Sequence, residues 1–86
     1  MQYVTFDQSK LISPFPAIFS GYHVAPDLTD TIVNINDGID NTGPIVFHID
    51  LQDREDQSTP WIDVPFNTGI YVDVVYGVAK GCILVS

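Results

Sequence analysis

Hydrophobic and polar residues alternate along most of this chain with a period of two, as in strands that pack one face and wet the other. The cleanest case is Ile45-Val46-Phe47-His48-Ile49-Asp50-Leu51-Gln52, with Ile45, Phe47, Ile49 and Leu51 on one side and the remaining four on the other. Four more runs read as strands. Ala17 to Val24 ends at Ala25-Pro26-Asp27. Thr31 to Asn36 ends at Asp37-Gly38, with Asn41-Thr42-Gly43-Pro44 extending that loop. Trp61 to Phe66 sets Ile62, Val64 and Phe66 on one face, and Ile70 to Tyr76 does the same with Ile70, Val72, Val74 and Tyr76. Between these two, Asn67-Thr68-Gly69 is expected to turn the chain as in a hairpin, since Asn and Gly tolerate tight-turn backbone. A turn from Gly77 to Gly81 then leads into a short last strand, Cys82 to Ser86. The most polar stretch, Asp53 to Pro60, reads as an exposed loop. Short strands at near-regular spacing, with no long helical period, predict an all-β fold: a small antiparallel β-sandwich or jelly-roll-like barrel.

The front of the chain departs from this pattern. Tyr3 to Phe6 suits a short strand, but Ser13-Pro14-Phe15-Pro16 must be extended, because each proline fixes its own φ and biases its predecessor away from helix. Residues 1–16 therefore read as an extended N-terminal arm or edge strand, and 17–86 as one β-sandwich domain. Phe15, between two prolines, is either an anchor folded back on the core or a contact for a neighbouring subunit. The Ile70 to Tyr76 strand adds Tyr71 and Val75 on its second face beside Asp73. A sheet apolar on both sides needs two things to pack against, and in so short a chain the second is expected to be another copy. Phe6, Phe15, Tyr71 and Val75 are thus the expected interface residues.

Size and charge sharpen the picture. A domain of 86 residues buries only about 60–65% of its unfolded surface, so its margin is thin and partners help. Cys82 is the sole cysteine, which closes the intrachain disulfide route; it reads as a small buried hydrophobe. The formal charge is −8, with only Lys10, Arg54 and Lys80 positive. Three scattered cations cannot displace counterions from a polyphosphate, so neither nucleic acid nor an anionic membrane is an expected partner. Met1 to Asp7 lacks the basic start and apolar block of a secretory peptide, and no apolar run approaches membrane-span length. Synthesis in a cytoplasm is the expectation.

Candidate chemistry is sparse. Asn34 to Asn41 has oxygen ligands at alternating positions, but taking Asn34 as position one puts Asp37 and Gly38 at four and five, off the EF-hand register. His23 and His48 have no acid or thiol at metal-ligand spacing. Asp63 and Asp73 flank the Asn67 turn and would face each other across a hairpin, yet a glycosidase pair also needs a sugar cleft. Trp61, Tyr71 and Tyr76 suit a carbohydrate platform or, for Trp61, a ring capping the core. No catalytic residue, metal or cofactor is expected, and no enzyme.

From Gly43 onward the chain runs Gly-Pro-Ile-Val-Phe-His-Ile-Asp, a polar loop, then Trp-Ile-Asp-Val-Pro-Phe-Asn-Thr-Gly-Ile-Tyr-Val-Asp-Val and a closing strand. This half resembles the small virion structural proteins of tailed bacteriophages, with Pro65, Phe66, Gly69, Ile70, Tyr71 and Val72 carrying the likeness. The resemblance implies a capsid decoration or cement protein that docks on the major capsid protein or other virion proteins as a homo-oligomer, a trimer above all, and resides in the virion. A neck or tail component is the nearest alternative, and a small carbohydrate- or cell-surface-binding module the alternative of another class.

Overall fold

In a computed structural model, which describes residues 2–52, 55–59 and 62–86, the alternating runs become strands of two antiparallel sheets. The strands are Gln2–Phe6 (β1), Lys10–Ser13 (β2), Ala17–Pro26 (β3), Thr31–Asp37 (β4), Ile45–Leu51 (β5), Gln57–Ser58 (β6), Val64–Phe66 (β7), Ile70–Tyr76 (β8) and Ala79–Val85 (β9). One sheet has the order β1-β9-β3-β6, with β7 following β6 along the same edge of β3; the other is β2-β8-β4-β5. The sheets stay separate layers of a sandwich and do not close into a barrel.

Counting β6 and β7 as one interrupted strand, β1 pairs with β9, β2 with β8, β3 with β6 and β7, and β4 with β5. These are the rungs of a single folded-back ribbon wrapped around a core, the jelly-roll order. Nearly every connection consequently passes from one sheet to the other; among the described residues β4–β5 is the one hairpin within a sheet.

One expectation changes here and another is narrowed. The Asn67-Thr68-Gly69 turn is a crossover, because β7 pairs with β3 in one sheet while β8 pairs with β2 and β4 in the other. Phe66 and Ile70 are both buried on either side of it, so both point into the sandwich from opposite layers. Of the two readings of the segment before residue 17, arm or edge strand, the strand pairing fits the second. β1 and β2 are edge strands, one in each sheet, and Phe6 is only 5% exposed in the core. Phe6 is therefore a core residue of the sandwich and not part of an exposed face; it lies opposite Gly81, where a Cβ would run into the His23 carbonyl oxygen of β3.

The core joins Phe6, Phe19, Tyr22, Val24 and Ile83 of the first sheet to Val33, Ile35, Ile49, Leu51, Ile70 and Val72 of the second. Phe19 is its centre, stacked on Phe47 at 5.0 Å and on Phe66 at 5.4 Å between ring centroids. Tyr22 meets Phe47 edge-on at 6.0 Å, and burial raises its phenol pKa. Each large side chain buried this way contributes about 1.5–3 kcal/mol.

Two bulges adjust the alternation read from sequence. Ile35 pairs with Phe47 and Asn36 with Ile45, which leaves Val46 extra and Ile45 exposed instead of inward. Val33 pairs with Val74 and Ile32 with Tyr76, leaving Val75 extra and sending Tyr76 to the outer face. A one-residue slip reverses the faces of everything beyond it.

Candidate functional site

A jelly-roll ribbon gathers its connections at two ends, and here the ends are built differently. At one end lie connections 14–16, 38–44 and 67–69, the last two tied together by Asp37 at the end of β4. Its carboxylate accepts backbone N–H groups from Asn67 at 3.0 Å, Thr68 at 2.9 Å and, more weakly, Gly69 at 3.4 Å. The Asn67 bond is the largest cause holding the Asp37 carboxyl below its ordinary pKa; burial opposes it and is the next largest effect, and the Thr68 and Gly69 bonds add to the lowering. Backbone bonds complete the stitch: Asp37 N–H donates to the Pro44 carbonyl at 2.8 Å and Gly38 N–H to the Gly69 carbonyl at 3.1 Å. Gly69 is required by close approach, since a Cβ there would lie 2.6 Å from the Ser13 carbonyl oxygen and 2.9 Å from that of Gly38.

The same end presents Phe15. It is 70% exposed, and its backbone is clamped by Pro14, Pro16 and the Ser13 hydroxyl. That hydroxyl donates to the Phe15 carbonyl at 2.9 Å and accepts the Phe15 N–H at 3.3 Å. Beside the elbow runs an open groove of about 390 Å³ lined mainly by Pro16, Ala17, Ile18, Pro65 and Phe66. Ile39 and Ile45 are exposed on the neighbouring connection and strand.

The opposite end carries the β1–β2, β3–β4 and β8–β9 turns. Asp27 N–H donates to the Val78 carbonyl at 2.8 Å, and the Thr31 hydroxyl donates to the same oxygen at 3.0 Å. Lys80 approaches Asp27 at 3.6 Å. Gly77 adopts φ +76°, and Leu28, 81% exposed, adopts φ +65°. A leucine in that region is strained by its Cβ.

The chemistry weighed from sequence is dispersed. Asp63 accepts the Ser20 hydroxyl at 3.3 Å on the first sheet, while Asp73 accepts from Ser9 at 3.4 Å on the second. The crossover thus separates two carboxylates that a hairpin would have paired. His23 stands 3.8 Å from Asp56, and His48 Nδ1 lies 2.6 Å from Asn34 Oδ1; the two imidazoles occupy outer faces of different sheets. In the Asn34 to Asn41 stretch, Asp37 is engaged by amides and Asp40 by the Thr42 hydroxyl and N–H. Asn36 donates to the Gly43 carbonyl at 2.9 Å. Among the described residues no three His, Cys, Asp or Glu side chains gather to hold a metal ion. Cys82 is half-buried on the outer face of the first sheet, where with Tyr3, Gly21, His23 and Leu84 it lines a shallow, mostly apolar groove of about 190 Å³.

The expected interface set does not form one surface. Phe6 is in the core, Phe15 is at the stitched end, Tyr71 is half-buried beside Asn36 and Leu11, and Val75 is exposed near the other end. Trp61 and Pro60 fall outside the described residues, as do Asp53 and Arg54. The residue that sequence reasoning passed over is Asp37. Its signal was an Asp closing a strand just before Gly38, which reads as ordinary turn chemistry until the partner loop 30 residues later is brought against it. Comparison with protein-family models, curated proteins and solved structures gives no match.

Proposed function

We propose that this chain is a bacteriophage virion structural protein, a decoration or cement protein that docks on the major capsid lattice and works by burying apolar surface across subunit seams. The observation that carries the reading is the exposed Phe15 held in a hydrogen-bonded proline elbow beside an apolar groove. An aromatic fixed in place but left uncovered is suited to binding and costs little to order on docking. The Pro65 to Val72 likeness to small phage virion proteins points the same way, as does a net charge of −8 that keeps free copies apart before assembly. Jelly rolls serve in both capsids and lectins, so the fold alone does not choose between them. Self-association, as a trimer, accompanies the proposal, because a small core gains from neighbours.

Mass spectrometry of purified particles tests the reading. The protein should be present in a fixed stoichiometry to the major capsid protein, and particles assembled without it should disrupt at lower temperature. Its absence from particles overturns the proposal. The second reading, a carbohydrate-binding module, is favoured by Tyr3 beside the shallow groove on the first sheet. Saturable retention on immobilised glycans, lost in Tyr3→Ala, would favour it.

A further inference from the structure

We infer that the end formed by connections 14–16, 38–44 and 67–69 is the docking surface, that Phe15 is its anchor, and that its occupant is a different protein with an apolar pocket edged by Lys or Arg. The inference deepens the virion reading and rests on it.

Three observations select this end. Phe15 is exposed, yet its backbone is fixed by two prolines and two hydrogen bonds to the Ser13 hydroxyl. Interfaces concentrate their energy in such aromatic anchors, and preorganisation lowers the ordering cost. The groove beside it, floored by Ala17, Ile18 and Phe66, can accept a partner side chain while Phe15 enters the partner's pocket. Asp37 ties the turn at residues 67–69, which borders the groove, to β4, and Gly69 of that turn packs closely against the Ser13 carbonyl at the foot of the Phe15 elbow. The opposite end also exposes apolar side chains, Leu28 and Val78, but sets them among Lys10, Lys80, Asp7 and Asp27.

Charge decides the occupant. No Lys or Arg occurs between Lys10 and Arg54 or between Arg54 and Lys80, so these three connections contain no cation. Asp40 is exposed there. Two copies meeting through this end would bring Asp40 carboxylates together with nothing to offset them, on chains that each carry −8. A basic rim on another protein reverses that sign and would speed association at low salt.

The test uses the purified full-length protein and particles assembled without it, with occupancy measured by co-sedimentation at low and high salt. Phe15→Ser should keep its circular dichroism spectrum and lose occupancy by about tenfold or more. Asp40→Asn should weaken binding by about two- to threefold at low salt only. Leu28→Ser at the opposite end should bind as the unmodified protein does. Unmodified protein that binds particles while Phe15→Ser binds equally well overturns this inference and leaves the virion reading standing. Binding that strengthens with salt overturns the basic rim. Self-association in analytical ultracentrifugation that disappears in Phe15→Ser would make the occupant a second copy and overturn the assignment. Failure of the unmodified protein to bind any particle removes the virion reading and the inference with it.

Discussion

The two ends of the sandwich are made from connections of the same ribbon, yet they are held in different ways. At the Asp37 end a carboxylate closing β4 accepts the backbone N–H groups of the turn that enters the adjacent strand β8, and that turn follows Phe66 of the Phe19, Phe47 and Phe66 stack. At the Leu28 end the features are Gly77 and Leu28 at positive φ, an exposed Lys80–Asp27 ion pair, and the Val78 carbonyl, which accepts from the Asp27 N–H and the Thr31 hydroxyl. Both ends tie residues far apart in sequence, Asp37 to a turn 30 residues on and Thr31 to Val78 47 residues on, so both sets of bonds form only with the whole fold. The difference is one of strength: a charged acceptor shared by turn amides at one end, neutral bonds and an exposed ion pair at the other.

The largest effect should come from removing the support of the stitched end. Phe19→Ala takes the centre out of the aromatic stack and should cost about 3–5 kcal/mol in urea or thermal unfolding. A loss below about 1.5 kcal/mol would mean that Phe47 and Phe66 collapse into the space and that the stack is not what backs this end.

Asp37→Ala comes next, at about 2–3 kcal/mol, because the turn amides lose a charged acceptor and regain only water. Its pH dependence has a definite sign. The folded-state pKa is depressed, so the contribution is fully present above the ordinary carboxylate value and is lost as pH falls through the lower folded value. The stability gap between the unmodified protein and Asp37→Asn should hold from neutrality to about pH 5 and narrow below about pH 4. A gap that persists in acid would show that shape, not charge, makes the stitch.

At the other end the expected changes are smaller, and the first has the opposite sign. Leu28→Asn replaces a strained leucine with a residue that tolerates the left-handed region, and should raise stability by about 0.5–1 kcal/mol. Destabilisation instead would reveal a packing role for the exposed leucine. Lys80→Met removes an ion pair whose partners are 67% and 42% exposed, and should change stability by less than about 0.5 kcal/mol. A larger loss would place the two ends on an equal footing.

How far the sequence reads depends on which information is local. The inward positions of the second half of β5 and the first half of β8 were legible, since Ile49, Leu51, Ile70 and Val72 alternate as their burial does. Ile45 and Tyr76 were not, because each lies beyond a bulge, and a bulge exists only relative to the strand opposite. Phe15 was legible as an unusual aromatic between prolines, while its groove, made from residues near 17 and near 66, was not.

By itself the sequence determined most of the strand-forming runs and the charge, because periodicity, proline and glycine geometry and composition act within a few residues; it did not show β2, β6 or the start of β9 at Ala79, inside the stretch that reads as a turn. Tertiary structure alone decided which sheet each strand joins. An alternating strand is equally content on either face of a sandwich, so Asn67-Thr68-Gly69 suits a hairpin as well as a crossover. The choice is made by long-range pairing, with β7 on β3, β8 between β2 and β4, and the Asp37 carboxylate on the turn that joins them.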